Sequence, residues 1–225
     1  MIFHIGIKKN NILYNYYIME KFNNEYKNNI EYYNNLKYNI IKNINGRICH
    51  HKIVILHIIC KLFRIETYLE IGVHNGSSMS YIVSEEQTKK CYGIDLFDDT
   101  ISRYSHDNLM LNNSLQNILN NNINSEINLI KGNSFDKTTI TELENKINKE
   151  SVDLLFIDGD HTYEGIKNDF INYYKFVKKN GFIIIDDYEP NYPDIVKFVD
   201  EYIKNNDLFD MVGVFENNDL IIIKK

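Results

Sequence analysis

Four polar side chains directly follow two apolar runs, where they could bind a metal ion or move a proton. Asp158 and His161 follow the first run, and Asp186 with Asp187 follows the second. Carboxylate oxygens are ligands that Mg²⁺, Ca²⁺ and Mn²⁺ prefer. A histidine is a suitable general base near neutral pH. The residue types therefore indicate a metal site, an acid/base site, or both.

A purely structural role remains open for part of this cluster. Asp160 lies between Asp158 and His161, and it could do no more than cap the helix that starts near Thr162. Asp187 could be a solvated carboxylate at the end of a strand. Residue types alone leave these alternatives open.

A glycine-containing loop, Glu70-Ile-Gly-Val-His-Asn-Gly-Ser-Ser78, lies ahead of this cluster in the chain. Gly72 and Gly76 have no Cβ atom, so the backbone could approach a ligand closely. The N–H groups of the next helix, with Ser78, could meet a carboxylate or phosphate, and Glu70 suits a ligand ammonium. The loop lacks the Gly-x-Gly-x-x-Gly and Gly-Lys-Ser/Thr patterns, which argues against dinucleotide and nucleoside-triphosphate binding. An ordinary strand-to-helix turn remains the alternative.

Two further loops carry side chains that could bind a nucleoside. Asp95 ends the next predicted strand, where a carboxylate can accept hydrogen bonds from both ribose hydroxyls. Asn133 and Ser134 follow the third predicted strand, and they could contact the edge of a base. A solvated aspartate and a plain turn are the alternatives.

Hydrophobic periodicity predicts strands that alternate with helices. The predicted strands are 68–71, 90–96, 127–131, 152–157, 182–185, 211–215 and 220–224. The predicted helices are 47–63, 77–86, 108–120, 138–147, 163–178 and 193–204, with Gly181 as the C-terminal glycine of the fifth. This alternation implies a doubly wound α/β fold with a parallel sheet, closed by an antiparallel hairpin. Ligands bind such sheets at the carboxyl ends of the strands, where all four motifs lie.

Length and composition bound the other possibilities. The 225 residues fit one domain at 46–225, with a helical extension at 1–45 that is a lid, an oligomer contact or a poorly ordered segment. We expect translation to start at Met19, with residues 1–18 dispensable. A net charge of −6 argues against a nucleic-acid partner, and the apolar run 53–63 is shorter than the roughly 20 residues of a membrane span. Three cysteines without Cys-x-x-Cys spacing indicate a reducing compartment, so we expect a cytoplasmic protein, in the host cytoplasm if it is viral.

Together, the segments LEIGVHNGSS, YGIDLF, FIDGDHTYEGIKNDF and GFIIIDDY resemble the class I S-adenosylmethionine-dependent methyltransferases. Within that class they are similar to a bacterial-type family that includes O-methyltransferases of sugars and of glycosylated natural products. The resemblance runs from Thr67 to Tyr188. It implies a Rossmann-like, seven-stranded, mostly parallel sheet of order 3-2-1-4-5-7-6 in which strand 7 is antiparallel.

The resemblance also implies which loops hold S-adenosylmethionine. The first loop would hold the methionine part, the second the ribose and the third the adenine. The residues concerned are Glu70, Gly72, Gly76 and Ser78 in the first loop, Asp95 in the second, and Asn133 with Ser134 in the third.

By the same resemblance, a divalent metal ion, Mg²⁺ in the first instance, would be held by Asp158, Asp186 and Asp187. Asp158 would also border the cofactor, and His161 or Asp158 would be the catalytic base. The implied reaction is methyl transfer to a hydroxyl of a small molecule such as a sugar, a nucleotide sugar or a glycan unit. A homo-oligomer formed through the N-terminal helices is a further expectation.

Two other classes of function remain open on the sequence alone. One is a different enzyme on the same fold, either a metal-independent methyltransferase or a hydroxylase-like relative. The other is a non-catalytic binding module in which the N-terminal helices matter most. Insensitivity to a chelator would indicate the metal-independent enzyme, and a folded chain that binds no cofactor would indicate the binding module.

Overall fold

The computed structural model describes residues 12–33, 35, 50–83, 85–97, 117–118, 125–216 and 218–225. Most of the predicted helix 108–120 lies outside these residues. The strands are β1 Thr67–Ile71, β2 Lys90–Asp95, β3 Glu126–Lys131, β4 Val152–Ile157, β5 Val177–Ile185, β6 Phe209–Phe215 and β7 Asp219–Lys224. The helices are α1 Ile12–Asn28, α2 His50–Leu62, α3 Ser77–Ile82, α4 Lys137–Glu144, α5 Tyr163–Tyr173 and α6 Pro193–Phe198, with a 3-10 turn at Tyr174–Phe176 and a π-helical turn at Val199–Ile203. None of the described helices is both long enough and apolar enough to cross a membrane.

The strands form one sheet of order β3-β2-β1-β4-β5-β7-β6. Strands β1 to β5 pair in parallel, and β7 runs antiparallel to both of its neighbours, β5 and β6. This confirms the predicted order and the predicted closing hairpin. Because β1 to β5 are parallel, the loops that follow them all lie at one edge of the sheet.

Strand β4 shows how the sheet is buried on both faces. All six of its residues are buried. Leu154 and Phe156 belong to the apolar cluster on one face, and Leu155 and Ile157 belong to the cluster on the other. A parallel sheet covered by helices on both faces needs strands that are almost entirely apolar. This explains the apolar run 154–157, and the one charged residue of the strand, Asp153, accepts hydrogen bonds from the backbone N–H groups of Glu66 and Thr67.

Helix α1 packs against β6, the outermost strand of the sheet, and does not stand apart from the domain. Ile18 and Phe22 are buried in the same cluster as the residues of α2. The Asn15 side-chain amide donates to the Met211 backbone carbonyl of β6 at 3.2 Å. Residues before Met19 therefore contribute buried contacts, contrary to the expectation that residues 1–18 are dispensable.

Helix α5 is shorter than its periodicity predicts. It ends at Tyr173, and β5 already begins at Val177. Strand β5 pairs with β4 at Val177 and again from Phe182, so the residues between them interrupt the regular register. The prediction that Gly181 is a helix C-terminal glycine is wrong, because burial of Val177 directs the chain back into the sheet before that residue. Likewise α3 ends at Ile82, earlier than predicted.

The position of α1 generates a first prediction. Replacing Phe22, whose side chain is fully buried, by alanine should lower the free energy of unfolding by about 3–5 kcal/mol. Tyr16 of the same helix is 69% exposed, so Tyr16→Ala is the matched control and should change it by less than about 1 kcal/mol. Urea denaturation measures both variants. Equal stability of the two would show that α1 does not pack on the domain.

Candidate functional site

The glycine loop after β1 is shaped by the loop after β4. Gly72 has a φ of +88°, and a Cβ atom built there would lie 2.0 Å from the backbone carbonyl oxygen of Asp158. Gly76, at the start of α3, has a φ of +76°. Gly72 is thus required by backbone packing between two neighbouring loops, and this contact fixes the predicted cofactor loop against Asp158.

Glu70 lies beneath this loop. Its side chain is fully buried, and it accepts hydrogen bonds from the hydroxyls of Tyr68, at 3.1 Å, and Ser78. Burial raises the pKa of Glu70 to about 8, against the lowering effect of the Ser78 hydrogen bond. In this arrangement Glu70 and Ser78 hold each other and support the loop from below, and their contact with a ligand stays a prediction.

Asp95 supports the same loop from the end of β2. One carboxylate oxygen accepts a hydrogen bond from the backbone N–H of His74 at 2.8 Å, and the other accepts from the N–H of Phe97 at 2.6 Å. Both partners have left-handed φ values, +48° for His74 and +44° for Phe97. The carboxylate therefore stabilises two strained turns and stands between the first and second loops, where the sequence predicts the ribose.

The third predicted loop, after β3, is held in a similar way. The side-chain oxygen of Asn133 accepts from the N–H of Phe135 at 2.9 Å, and the carbonyl of Ser134 accepts from the Tyr173 hydroxyl at 2.8 Å. Asp169, fully buried in α5, lies behind this loop and close to Gly159. Burial raises the pKa of Asp169 to about 7. The loop is placed at the carboxyl edge as predicted, and contact with a base stays a prediction.

Asp158, His161 and Asp187 come together at the ends of β4 and β5. The Nε2 atom of His161 lies 3.7 Å from Asp158 Oδ1 and 3.5 Å from Asp187 Oδ2. One donor atom from each of the three lies within 4.8 Å of the others. The His161 ring also packs edge-on against Tyr192, with centroids 4.8 Å apart. The structure thus brings a histidine and two carboxylates into one polar cluster.

The predicted metal ligand Asp186 takes a different partner. Its Oδ2 lies 2.6 Å from the ammonium nitrogen of Lys52, which also binds Asp158 Oδ2. The Asp186 side chain is fully buried, whereas Asp187 retains 16% exposure. The structure therefore divides the predicted set: Asp186 faces Lys52, and Asp187 faces His161.

The sequence motifs did not identify Lys52 or Asn218 as residues of the site. Lys52 lies in the first turn of α2, where a lysine beside an apolar stripe indicates only a solvated helix face. Asn218 precedes β7, and its side-chain amide lies 3.4 Å from both Asp186 Oδ1 and Asp187 Oδ1. The only sequence feature that could have pointed to Lys52 is its position as a cation just ahead of a long apolar run. Asn218 could not be singled out, because the chain is rich in asparagine.

Electrostatics sets the protonation of this cluster. Burial acts to raise the pKa of Asp158, but the Lys52 ammonium outweighs it and holds that pKa well below its usual range. Burial and the charge of Asp158 together raise the pKa of Asp186. The contact with Asp158 raises the pKa of His161 in spite of its burial, and the charges of Asp158 and Asp187 add to this.

Asp160 has a structural role, but it is not the helix cap that the sequence left open. Its carboxylate accepts from both the backbone N–H and the hydroxyl of Thr162, each at 3.0 Å. Thr162 is itself the N-cap of α5, since its hydroxyl oxygen accepts from the N–H of Gly165 at 3.1 Å. Asp160 therefore braces the turn that carries His161.

The fold and the loops at its carboxyl edge define a protein of the methyltransferase class, and comparison with known proteins agrees. The profile of a family described as a methyltransferase domain matches residues 69–188. The uncharacterized protein R132 of Acanthamoeba polyphaga mimivirus is 32% identical over 190 residues, which cover 80% of this chain and 82% of that relative. The chain belongs to the methyltransferase-domain family, which confirms the predicted class of enzyme.

Solved structures show the same fold at low sequence identity. The O-methyltransferase of Bacillus cereus, solved with SAH, superposes with a TM-score of 0.59 at 17% identity, covering 84% of this chain and 88% of that one. The O-methyltransferase TomG of Streptomyces achromogenes, solved with SAM, gives 0.53 at 11% identity, covering 79% of this chain and 81% of that one. The Rossmann-like methyltransferase fold is therefore confirmed.

The contact between the loops that follow β1 and β4 generates a second prediction. Gly72→Ala should destabilise the protein by at least about 2 kcal/mol, because a Cβ would meet the Asp158 carbonyl and φ is positive. Gly213→Ala is the matched control, because the three atoms nearest to its Cβ all belong to the flexible side chain of Met19. Thermal and urea denaturation compare the two. A Gly72→Ala protein as stable as Gly213→Ala would contradict the close packing of the loops.

The pairing of His161 generates a third prediction. Asp187→Asn removes a nearby negative charge, so the pKa of His161 should fall towards its ordinary value. Imidazole NMR titration measures the pKa. Asp160→Asn makes the same change in charge one residue away from His161, and it should lower this pKa less because Asp160 binds Thr162 instead. An unchanged pKa in Asp187→Asn would contradict the pairing.

The same pairing has a consequence for stability. A histidine whose pKa is raised by folding contributes stability that is fully present below its unfolded pKa of about 6.5. That contribution is lost as the pH rises through the folded-state pKa of His161. The Asp187→Asn variant should therefore lose less stability than the wild type across this window.

Proposed function

We propose that the protein transfers the methyl group of S-adenosylmethionine to a hydroxyl oxygen of a small molecule, and that the acceptor is a sugar, a nucleotide sugar or a glycan unit. One observation carries the proposal. A histidine held by two carboxylates, Asp158 and Asp187, lies beside the glycine loop, because Asp158 contacts both. The proposed base therefore lies next to the loop expected to hold the methyl donor.

The residues of the cluster can deprotonate an acceptor hydroxyl. His161 Nε2 accepts the hydroxyl proton, and the two flanking carboxylates stabilise the resulting imidazolium. The acceptor oxygen then attacks the methyl carbon in line with its bond to sulfur, the carbon–sulfur bond breaks, and S-adenosylhomocysteine leaves. The glycine loop and Asp95 would fix the donor, and positioning of the two reactants supplies much of the rate.

The residues present also fit a divalent ion, with a changed set of ligands. Asp158, His161 and Asp187 offer converging oxygen and nitrogen donors, whereas Asp186 of the predicted set is paired with Lys52. An ion, Mg²⁺ in the first instance, would lower the pKa of an acceptor hydroxyl and orient it. Because Nε2 of His161 cannot hold an ion and accept a proton at once, Asp158 is the candidate base in that case.

A metal-independent methyltransferase is the second candidate, and one observation favours it. The Lys52 ammonium already pairs with Asp158 and Asp186, two of the three acidic ligands predicted from the sequence. His161 is then available as the base without competition from an ion. Sensitivity to a chelator distinguishes the two candidates.

We propose that the N-terminal extension, residues 1–45, is a lid or a contact between copies of this chain, and that the protein acts in the cytoplasm. Helix α1 supports the contact role because its outer face exposes three tyrosines. Tyr14 is 54% exposed, Tyr16 69% and Tyr17 52%. Sedimentation of the wild-type chain and of a variant with Tyr14, Tyr16 and Tyr17 replaced by serine tests whether copies associate through this face.

The fourth prediction tests the proposed function in two stages. Calorimetry with S-adenosylhomocysteine, with and without Mg²⁺, should show micromolar binding to the folded wild type. A panel of sugars, nucleotide sugars and glycans then identifies the acceptor, and EDTA shows whether an ion is needed. A folded sample that binds no S-adenosylhomocysteine would overturn the methyltransferase reaction.

Variants assign the base within the same assay. His161→Gln should lower kcat by about 10²-fold or more, the usual contribution of a general base, and leave binding of S-adenosylhomocysteine nearly unchanged. Asp160→Asn is the control, because its side chain braces the turn instead of facing the cluster. Equal turnover in wild type and His161→Gln would remove His161 from the mechanism.

A further inference from the structure

Lys52 is placed where the sequence predicts a metal ion. It projects from the first turn of α2 towards the carboxyl edge of the sheet, with 13% of its side chain exposed. Its ammonium contacts Asp158 Oδ2 at the end of β4 and Asp186 Oδ2 at the end of β5. These two strands are neighbours, so both carboxylates converge on one cation.

Two carboxylates held this close cannot both be ionised unless a positive charge lies beside them, and otherwise one of them keeps its proton. The repulsion is strong here because Asp186 is fully buried and Asp158 is only 17% exposed, so the low dielectric strengthens it and water screens it weakly. A divalent ion or an ammonium can supply the charge. Here the chain supplies it from Lys52, since the ammonium is within ion-pair distance of both oxygens.

The orientation of Asp158 connects Lys52 to the base. Asp158 uses Oδ2 for Lys52 and presents Oδ1 to His161 Nε2 at 3.7 Å. The cluster therefore has an inner part, Lys52 with Asp158 and Asp186, and an outer part, Asp158 with His161 and Asp187. A fixed inner cation holds Asp158 in the rotamer that serves the outer part.

We propose that Lys52 is a built-in cation that takes the place of a divalent ion at the Asp158–Asp186 pair, confines any bound ion to the outer part, and positions Asp158 against His161. Lys52 is a positioning residue in this reading. Its consequence for catalysis rests on the proposed function, but its effect on ion binding does not. Removing the ammonium should open the inner pair to a divalent ion.

The fifth prediction counts bound ions, with Mn²⁺ as the probe. Titration followed by electron paramagnetic resonance should find one more Mn²⁺ per chain in Lys52→Met than in the wild type. The added site should bind about tenfold or more tighter than any weak surface site, as expected when a unit positive charge leaves a partly buried acidic pair. Lys52→Arg, which restores the charge, should return the count to that of the wild type.

Two further variants make the test decisive. Asp186→Asn added to Lys52→Met should abolish the extra ion, because it removes half of the inner pair. If Lys52→Met does not fold, Asp186→Asn alone still tests the proposal. This variant should bind the same number of Mn²⁺ ions as the wild type. Equal counts in wild type and Lys52→Met, or an ion lost in Asp186→Asn alone, would overturn the proposal.

S-adenosylhomocysteine calorimetry on the same samples separates this inference from the proposed function. A chain that gains the inner ion on loss of Lys52 but binds no S-adenosylhomocysteine would support the inference and contradict the methyltransferase reaction. A Lys52→Met chain that binds S-adenosylhomocysteine but has an unchanged ion count would support the methyltransferase reaction and contradict the inference. Circular dichroism confirms that each variant is folded.

Discussion

The site depends on how one buried and one partly buried carboxylate, at the ends of adjacent strands, are held beside each other. Asp158 and Asp186 follow β4 and β5, and the parallel register brings them to one edge of the sheet. Burying two like charges is costly unless an opposite charge lies between them. The Lys52 ammonium meets this requirement from a helix that is remote in the sequence. The orientation of Asp158, and through it the environment of His161, follows from this ion pair.

Backbone packing places the donor loop against the same aspartate. Gly72 lies against the Asp158 carbonyl, so the loop expected to hold the methyl donor packs directly on the loop that carries the proposed base, His161. Asp95 stabilises the other side of that loop through the N–H of His74. Two reacting groups must be held within a few tenths of an ångström for methyl transfer, and such mutual bracing between loops provides that precision. The polar groups of the edge therefore act as one unit.

The sequence predicted the sheet well because its signals are local. Apolar runs such as 152–157 mark buried strands, and the four motifs occur in the order of one known fold. Boundaries were less accurate where tertiary burial overrides periodicity, as at Val177, which starts a strand inside a predicted helix. The role of Glu70 was not visible, because the sequence cannot show that a carboxylate at a strand end is fully buried under its own loop.

Lys52 could not be predicted for a different reason. Its partners lie more than 100 positions away in the chain (Lys52 to Asp158 is 106), and only the docking of α2 brings them together. The same docking decides what His161 can do. With Lys52 paired to Asp158, the imidazole between Asp158 and Asp187 is available for the proposed role of base, whereas an ion at the outer part would occupy the same Nε2 atom. A base and a metal ligand are thus exclusive roles for one nitrogen, and a lysine that replaces the inner ion favours the base.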